Sequence, residues 1–302
     1  GSRERVDFYL GQSTTILLFT ALLIALAGIG LSEPLLKLLQ TPQNVFAFTR
    51  DYMLIVFAGL PFMFGFFVMQ SAMQGIGRTV VPLIIQVITV ALNIALDPLF
   101  IYGIAFFPSW GVQGAAVATV IARAIGSFIA FYILIQGRYG MQLKLEHMRP
   151  RLQSVRLFLR IGLPSSFGQA VSALGFTVLQ GLVNSFGTAV IAAFGVGNRL
   201  IGLFNMPAMG ISRATTSLVG QRLGAKDPDG ARQVVVLSIL SIQAFILPAM
   251  VLAFFYGSSF IRFFVDDPET MRYGAELFRV VAPSVVLFGF FHATIGAFQG
   301  AG

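Results

Sequence analysis

The stretch FGFFVMQSAMQGIG at residues 64–77 returns as FGFFHATIGAFQGAG at 288–302. The two copies match at both ends, and the second carries one inserted residue. Each belongs to an apolar run entered through a short segment that contains a proline, TPQNVFAFTRDY (41–52) in one case and DDPETMRYGAEL (266–277) in the other. Farther upstream, GSRER (1–5) takes the place that GAKDPDGAR holds at 224–232. A period near 225 residues is far longer than any solenoid unit and marks two homologous lobes. Both copies run in the same direction, which predicts parallel repeats related by an axis along a membrane normal, as in one class of secondary transporter.

The membrane itself follows from composition. Of the 302 residues, 56% are hydrophobic and 11% charged, and mean hydropathy is +0.83. A soluble domain carries about 25% charged residues, so the solvent for most of this chain is lipid. Eight runs reach the roughly 20 residues needed to cross the hydrocarbon: 8–31, 52–75, 80–103, 112–136, 158–183, 188–212, 233–257 and 275–298. In lipid such runs must be helices, which predicts an all-α polytopic fold.

One segment decides the sidedness. Residues 187–224 are interrupted by Asn205, Pro207 and Gly210 and read either as one long span or as two short ones. Taken as one, thirteen Lys and Arg fall on the side of the N-terminus and four on the other, with Arg123, Arg199 and Arg279 inside spans. That is the positive-inside pattern, and two spans would spoil it. The N-terminus of the chain is therefore expected in the cytoplasm of a cell whose inner membrane holds the protein. The expected organisation is an N-terminal lobe over 1–136, a basic cytoplasmic connector over 137–157 and a C-terminal lobe from 158 to 302. Both ends read as cuts through a longer chain, and the repeat predicts two further helices on each side, about twelve in all.

The net charge of +8 does not point to nucleic acid, because the basic residues sit in short loops with no stripe of stacking aromatics. There is no cysteine, and His147 and His292 show no metal-ligand spacing. GQRLGA (220–225) has glycines but no Walker lysine and serine, and reads as a helix end.

The order and spacing of several segments resemble one family. QGIGRTVVPLIIQVITVALNIALDPLFIYG (74–103) and GVQGAAVATVIAR (111–123) are similar to the multidrug and toxic compound extrusion (MATE) family. So are FLRIGLPSS (158–166), GVGNRLIGLFNMPAMGISRATTSLVGQRLGA (195–225) and the QGxG endings. The resemblance covers essentially the whole chain. It implies two six-helix lobes around a central cavity, alternating access, and export of bulky, often cationic compounds against Na⁺ or H⁺, with no cofactor and as a monomer. Asn93-x-x-x-Asp97, with Thr119 in AAVAT, resembles the amino-lobe cation site of one branch, in which an acid on the first helix also takes part. Another branch uses carboxylates of the second lobe, and no acid lies inside 158–183, 188–212 or 233–257.

The residues support a cation site on their own terms. Asp97 is the one acid well inside a span. A charge at the bilayer centre costs about 2.5–3.5 kcal/mol on insertion scales, so it requires a partner or water. Gln86, Thr89, Asn93 and Asp97 share a helical face, with Ile85, Val90, Leu92 and Leu96 read as the face opposite. Pro98 leaves the Ile94 carbonyl without its helical donor. Carboxylate, amide, hydroxyl and free carbonyl are hard oxygen ligands suited to Na⁺, and a buried carboxyl also suits proton carriage. The bland alternative is a fixed ion pair between Asp97 and Arg123. Arg123 also fits both readings, as the charge that tunes the carboxyl.

Substrate-cavity candidates are Gln70, Gln86, Thr89, Gln169, Thr177 and Gln180. For Gln169, Thr177 and Gln180, polar glue between helices is an equal reading. Two other functions compete. A flippase for lipid-linked precursors is expected to line its cavity with several cations, against three in these spans. An intramembrane enzyme needs paired acids, a Ser/His pair or a metal cluster, and the sequence offers none.

Overall fold

A computed structural model of the chain describes residues 2–39, 41–104 and 108–302. Eight long helices carry the fold: α1 (Ser2–Leu38), α2 (Gln43–Gly75), α3 (Val80–Tyr102), α4 (Val112–Gln136), α5 (Leu152–Asn184), α6 (Thr188–Gly224), α7 (Pro228–Arg262) and α8 (Pro268–Ala301). All eight are long and apolar enough to cross a membrane. Residues 188–224 form one helix, α6, which runs through Pro207. At 37 residues it is about 55 Å long and outreaches the hydrocarbon.

The repeat is visible in the element boundaries. α7 begins 226 residues after α1 (Pro228 against Ser2), and α8 begins 225 after α2 (Pro268 against Gln43). α1 packs along α2, as α7 does along α8. Both second-copy helices start the same way. Asp227 accepts from the Gly230 amide at 2.9 Å, and Asp267 accepts from the Thr270 amide at 2.8 Å, each followed by proline in the first turn. These caps hold both carboxyls below their ordinary pKa: the Gly230 amide acts on Asp227, and the Thr270 hydroxyl and amide act on Asp267.

The chain divides into two compact units, Gly1–Leu163 and Pro164–Gly302. The first has a core of Leu10, Phe66, Met69, Met73, Ile85 and Leu134 with their neighbours. Met69 and Met73 are fully enclosed there and act as ordinary core side chains. The second unit is built on Ile242, Ile246, Met250, Ile261 and Phe278. Several of its buried polar groups pair within the bundle, whereas the buried oxygens Asn205 Oδ1 and Gln243 Oε1 have no hydrogen-bond partner among the described residues. Thr215 donates to Ser238 Oγ at 2.7 Å, and Ser212 donates to the His292 carbonyl at 2.6 Å.

The basic loop after α4 is no loose tether over residues 142–151. Gln12 of α1, fully buried, donates to the carbonyls of His147 and Arg149 at 2.7 Å each, and its Oε1 accepts from the Arg151 amide at 2.8 Å. Thr15 donates to the Met148 carbonyl at 2.7 Å, and Asp7 accepts from the Gln142 amide at 2.7 Å. Gly11 makes room for this contact, since a Cβ there would collide with the His147 backbone. The loop and its 3₁₀ turn (Leu145–Met148) thus pair part of their backbone with α1 side chains, while the Leu143 and His147 amides donate to the Leu134 and Lys144 carbonyls.

Candidate cation site on α3 and α4

α3 and α4 approach closely because α4 is small where α3 is broad. A Cβ at Gly126 would collide with Thr89 Cγ2, and one at Gly114 with the Phe100 carbonyl. At the turn between the helices, Gly103 stops α3 in the left-handed conformation (φ 69°), which a side chain would oppose. Trp110 then stacks on Phe100 at 5.5 Å, and its amide donates to the Phe100 carbonyl at 2.9 Å. This closure fixes the register that sets polar residues of the two helices opposite one another.

Asn93 is the centre of the arrangement. Its Nδ2 donates to Asp97 Oδ1 at 3.2 Å, one helical turn along α3, and lies 3.4 Å from Thr119 Oγ1 across on α4. The Thr119 hydroxyl gives its proton to the Ala115 carbonyl at 2.9 Å, which leaves its lone pairs facing Asn93. All three residues are partly buried. A turn away, Arg123 Nη1 donates to Gln86 Oε1 at 3.1 Å. Among the described residues no ion pair joins Arg123 to Asp97. The two charges are held apart, each by a neutral amide. A cavity of about 40 Å³ lies beside Asn93 and Arg123, lined by Thr89, Val90, Asn93, Thr119, Ala122 and Arg123, with Asp97 outside its wall. That is room for a water molecule or a small dehydrated cation.

The face pattern differs from the sequence reading at Val90 and Ile85: Val90 lines the cavity with Thr89 and Asn93. Ile85 is not opposite the polar stripe: it and Thr89 are both buried, at 3% exposure, and both meet Gly126. Residues four apart on a helix lie only about 40° apart, so the apolar and polar positions share the side that packs on α4. The exposed side carries Leu83, Val87, Val90 and Ile94.

Of the other candidates, Gln86 and Thr89 belong to this constellation, Gln86 through Arg123 and Thr89 through the cavity wall. Gln70, half-buried on α2, does not line that cavity. Thr177 and Gln180 line a separate cavity of about 480 Å³ in the second unit, with Phe176, Asn184, Phe194 and Asn198. There Gln180 donates to Asn184 at 2.9 Å. Gln169 lies exposed on α5 outside that group. Sequence reasoning missed Asp7, Gln12 and Thr15. Their only signal was polarity at the entry to the first apolar run.

The comparisons with known proteins agree with this architecture. The MatE family model matches residues 1–99 and 164–302. The chain belongs to the MATE family. It is 27% identical over 292 residues to a probable multidrug resistance protein, YoeA, of Bacillus subtilis, covering 95% of this chain and 63% of that one. Against the probable multidrug resistance protein NorM of Thermotoga maritima it is 29% identical over 309 residues, covering all of this chain and 64% of that relative. A solved MATE structure in the straight conformation superposes with a TM-score of 0.83 over 98% of this chain and 71% of that chain, at 22% identity, and so shares the MATE fold. The chain thus spans just under two thirds of the length of the MATE relatives it matches. Asn93 and Asp97 fall inside the matched regions, and Thr119 and Arg123 fall between them.

Proposed function

We propose that the protein is a cation-coupled antiporter that exports small, often cationic organic compounds across the cytoplasmic membrane by alternating access. In this reading the coupling ion, H⁺ or Na⁺, is taken up at Asp97 with Asn93 and Thr119. The observation that carries it is the separation of the intramembrane charges. Asp97 is held by Asn93 and not by Arg123, so among the described residues the carboxylate has no permanent counter-ion to displace. The Asn93 amide serves two states. Its Nδ2 satisfies the carboxylate when no cation is present, and turned about its last bond it offers Oδ1 to an arriving Na⁺. Arg123, tied to Gln86, keeps a positive potential near the site and favours release of the cation once bound.

The relatives named for multidrug resistance support the transport class. We read residues 1–136 and 158–302 as parts of the two lobes and 137–157 as a cytoplasmic connector. The N-terminus of the chain is then cytoplasmic, in accord with the thirteen-to-four asymmetry of basic residues. A monomer in the lipid bilayer suffices. Gln70, Gln169, Thr177 and Gln180 are the proposed substrate contacts, with the aromatic and amide groups around Thr177 suited to a flat organic cation. The test is dye efflux by the full-length protein in vesicles, with Na⁺ and pH gradients imposed separately. One gradient is expected to drive efflux, and Asp97→Asn is expected to abolish it while membrane insertion is unchanged. Normal efflux by that variant would rule out Asp97.

A further inference from the structure

Two cavities open on the first unit near the start of α1, and Arg5 and Tyr9 line both. The first, about 530 Å³, is oily: its walls include Val6, Leu10 and Leu17 of α1, Val68 of α2, Met141 and Phe158. The second, also about 530 Å³, is polar, with Glu4, Arg5, Phe8, Tyr9, His147 and Arg151 around it. Arg151 is held in place there. Its guanidinium lies 4.8 Å from the centre of the Phe8 ring, and its amide is fixed by Gln12. Arg5 is exposed and stands one helical turn before Tyr9, so both side chains mark the seam between the cavities. Two arginines, Arg5 and Arg151, and one acid, Glu4, thus line the polar half.

An oily slot that shares Arg5 and Tyr9 with a cavity holding a second arginine has the two-part chemistry of a phospholipid. The acyl chain takes the apolar wall, and the phosphate takes the forked guanidinium donors. Basic pockets between spanning helices recognise lipid headgroups in this way, and tyrosine favours the headgroup level. Free phosphate would use only the polar half, and an uncharged lipid only the apolar half.

We infer that this bipartite groove binds one anionic phospholipid, its phosphate between Arg5 and Arg151 and an acyl chain between α1 and α2. The site shares no residue with the α3–α4 constellation and stands or falls independently of it.

The test uses the full-length protein in detergent. Native mass spectrometry compares retention of phosphatidylglycerol with that of phosphatidylcholine of the same chains, with inorganic phosphate as a third arm. Wild type is expected to retain phosphatidylglycerol at least about fivefold better, the factor that about one cation near an anionic headgroup supplies. Arg5→Gln with Arg151→Gln is expected to erase that preference, and millimolar phosphate is expected to leave the lipid bound. Ser71→Phe, which fills the oily half, is expected to lower retention of both lipids. If the double variant loses its fold, Arg5→Gln alone tests the headgroup contact, because Arg5 is exposed. Equal retention of the two lipids by wild type overturns the proposal. So does an undiminished preference in a folded arginine variant, or displacement of the lipid by phosphate.

Discussion

α3 and α5 are both oily helices with polar residues recurring on one face, yet the two stripes end up in different situations. On α3, Gln86, Asn93 and Asp97 are each bonded to a side chain, and two of those contacts cross to α4. On α5, Gln169, Thr177 and Gln180 are exposed, Thr177 bonds back to the Ala173 carbonyl, and Gln180 reaches only Asn184 of the same helix. The cause lies in the neighbour. α4 presents Gly114, Ala118, Ala122 and Gly126, all buried, and lets α3 come close. α5 makes no comparable close approach to α6, α7 or α8. Position on a helical face says where a polar group points. Small residues on the next helix decide whether it is met.

This difference can be attacked from both sides. Asn93→Leu removes the donor to Asp97 and the contact with Thr119. A hydrogen bond to a charged group is worth about 1.5–3 kcal/mol, so gradient-driven efflux is expected to fall about 10- to 100-fold, read as an initial rate in vesicles. Gly126→Val overfills the α3–α4 contact at Thr89. It is expected to lower stability by about 1–3 kcal/mol, seen as a lower thermal midpoint in detergent. Gln86→Leu strips Arg123 of the side-chain acceptor it has among the described residues, at a site of low polarity, and is expected to cost about 1–2 kcal/mol by the same measurement. The matched change on the other stripe, Gln180→Leu, is expected to stay within about 0.5 kcal/mol. Equal costs for Gln86→Leu and Gln180→Leu would erase the distinction between the helices.

Much of this was readable from residues alone, and the limits are physical. Apolar run length gave eight helices, loop charge gave a single α6, and the internal match between 64–77 and 288–302 located the repeat. Asn93 and Asp97 were joined by simple i, i+4 spacing. Thr119 needed the resemblance to a known family, because no local rule sets a residue of α4 beside one of α3. Arg123 shows the limit. Its charge suggested Asp97 as partner, while the helix register delivered Gln86. Ile85 was put on the wrong face because the stripe was counted along one helix, without the width of the α4 contact. The bonds from Asp7, Gln12 and Thr15 to residues 142–151 join positions more than 130 apart, and nothing local announces such contacts.

The central claim is that Asp97 is the group that takes up the coupling cation. The most direct measurement is cation binding by the purified full-length protein without substrate, followed by ²²Na⁺ uptake and, in parallel, by proton uptake in weakly buffered solution. Wild type is expected to bind one of the two cations, and Asp97→Asn to lose that binding while keeping its fold. Undiminished binding of the same cation by the folded Asp97→Asn protein would contradict the account.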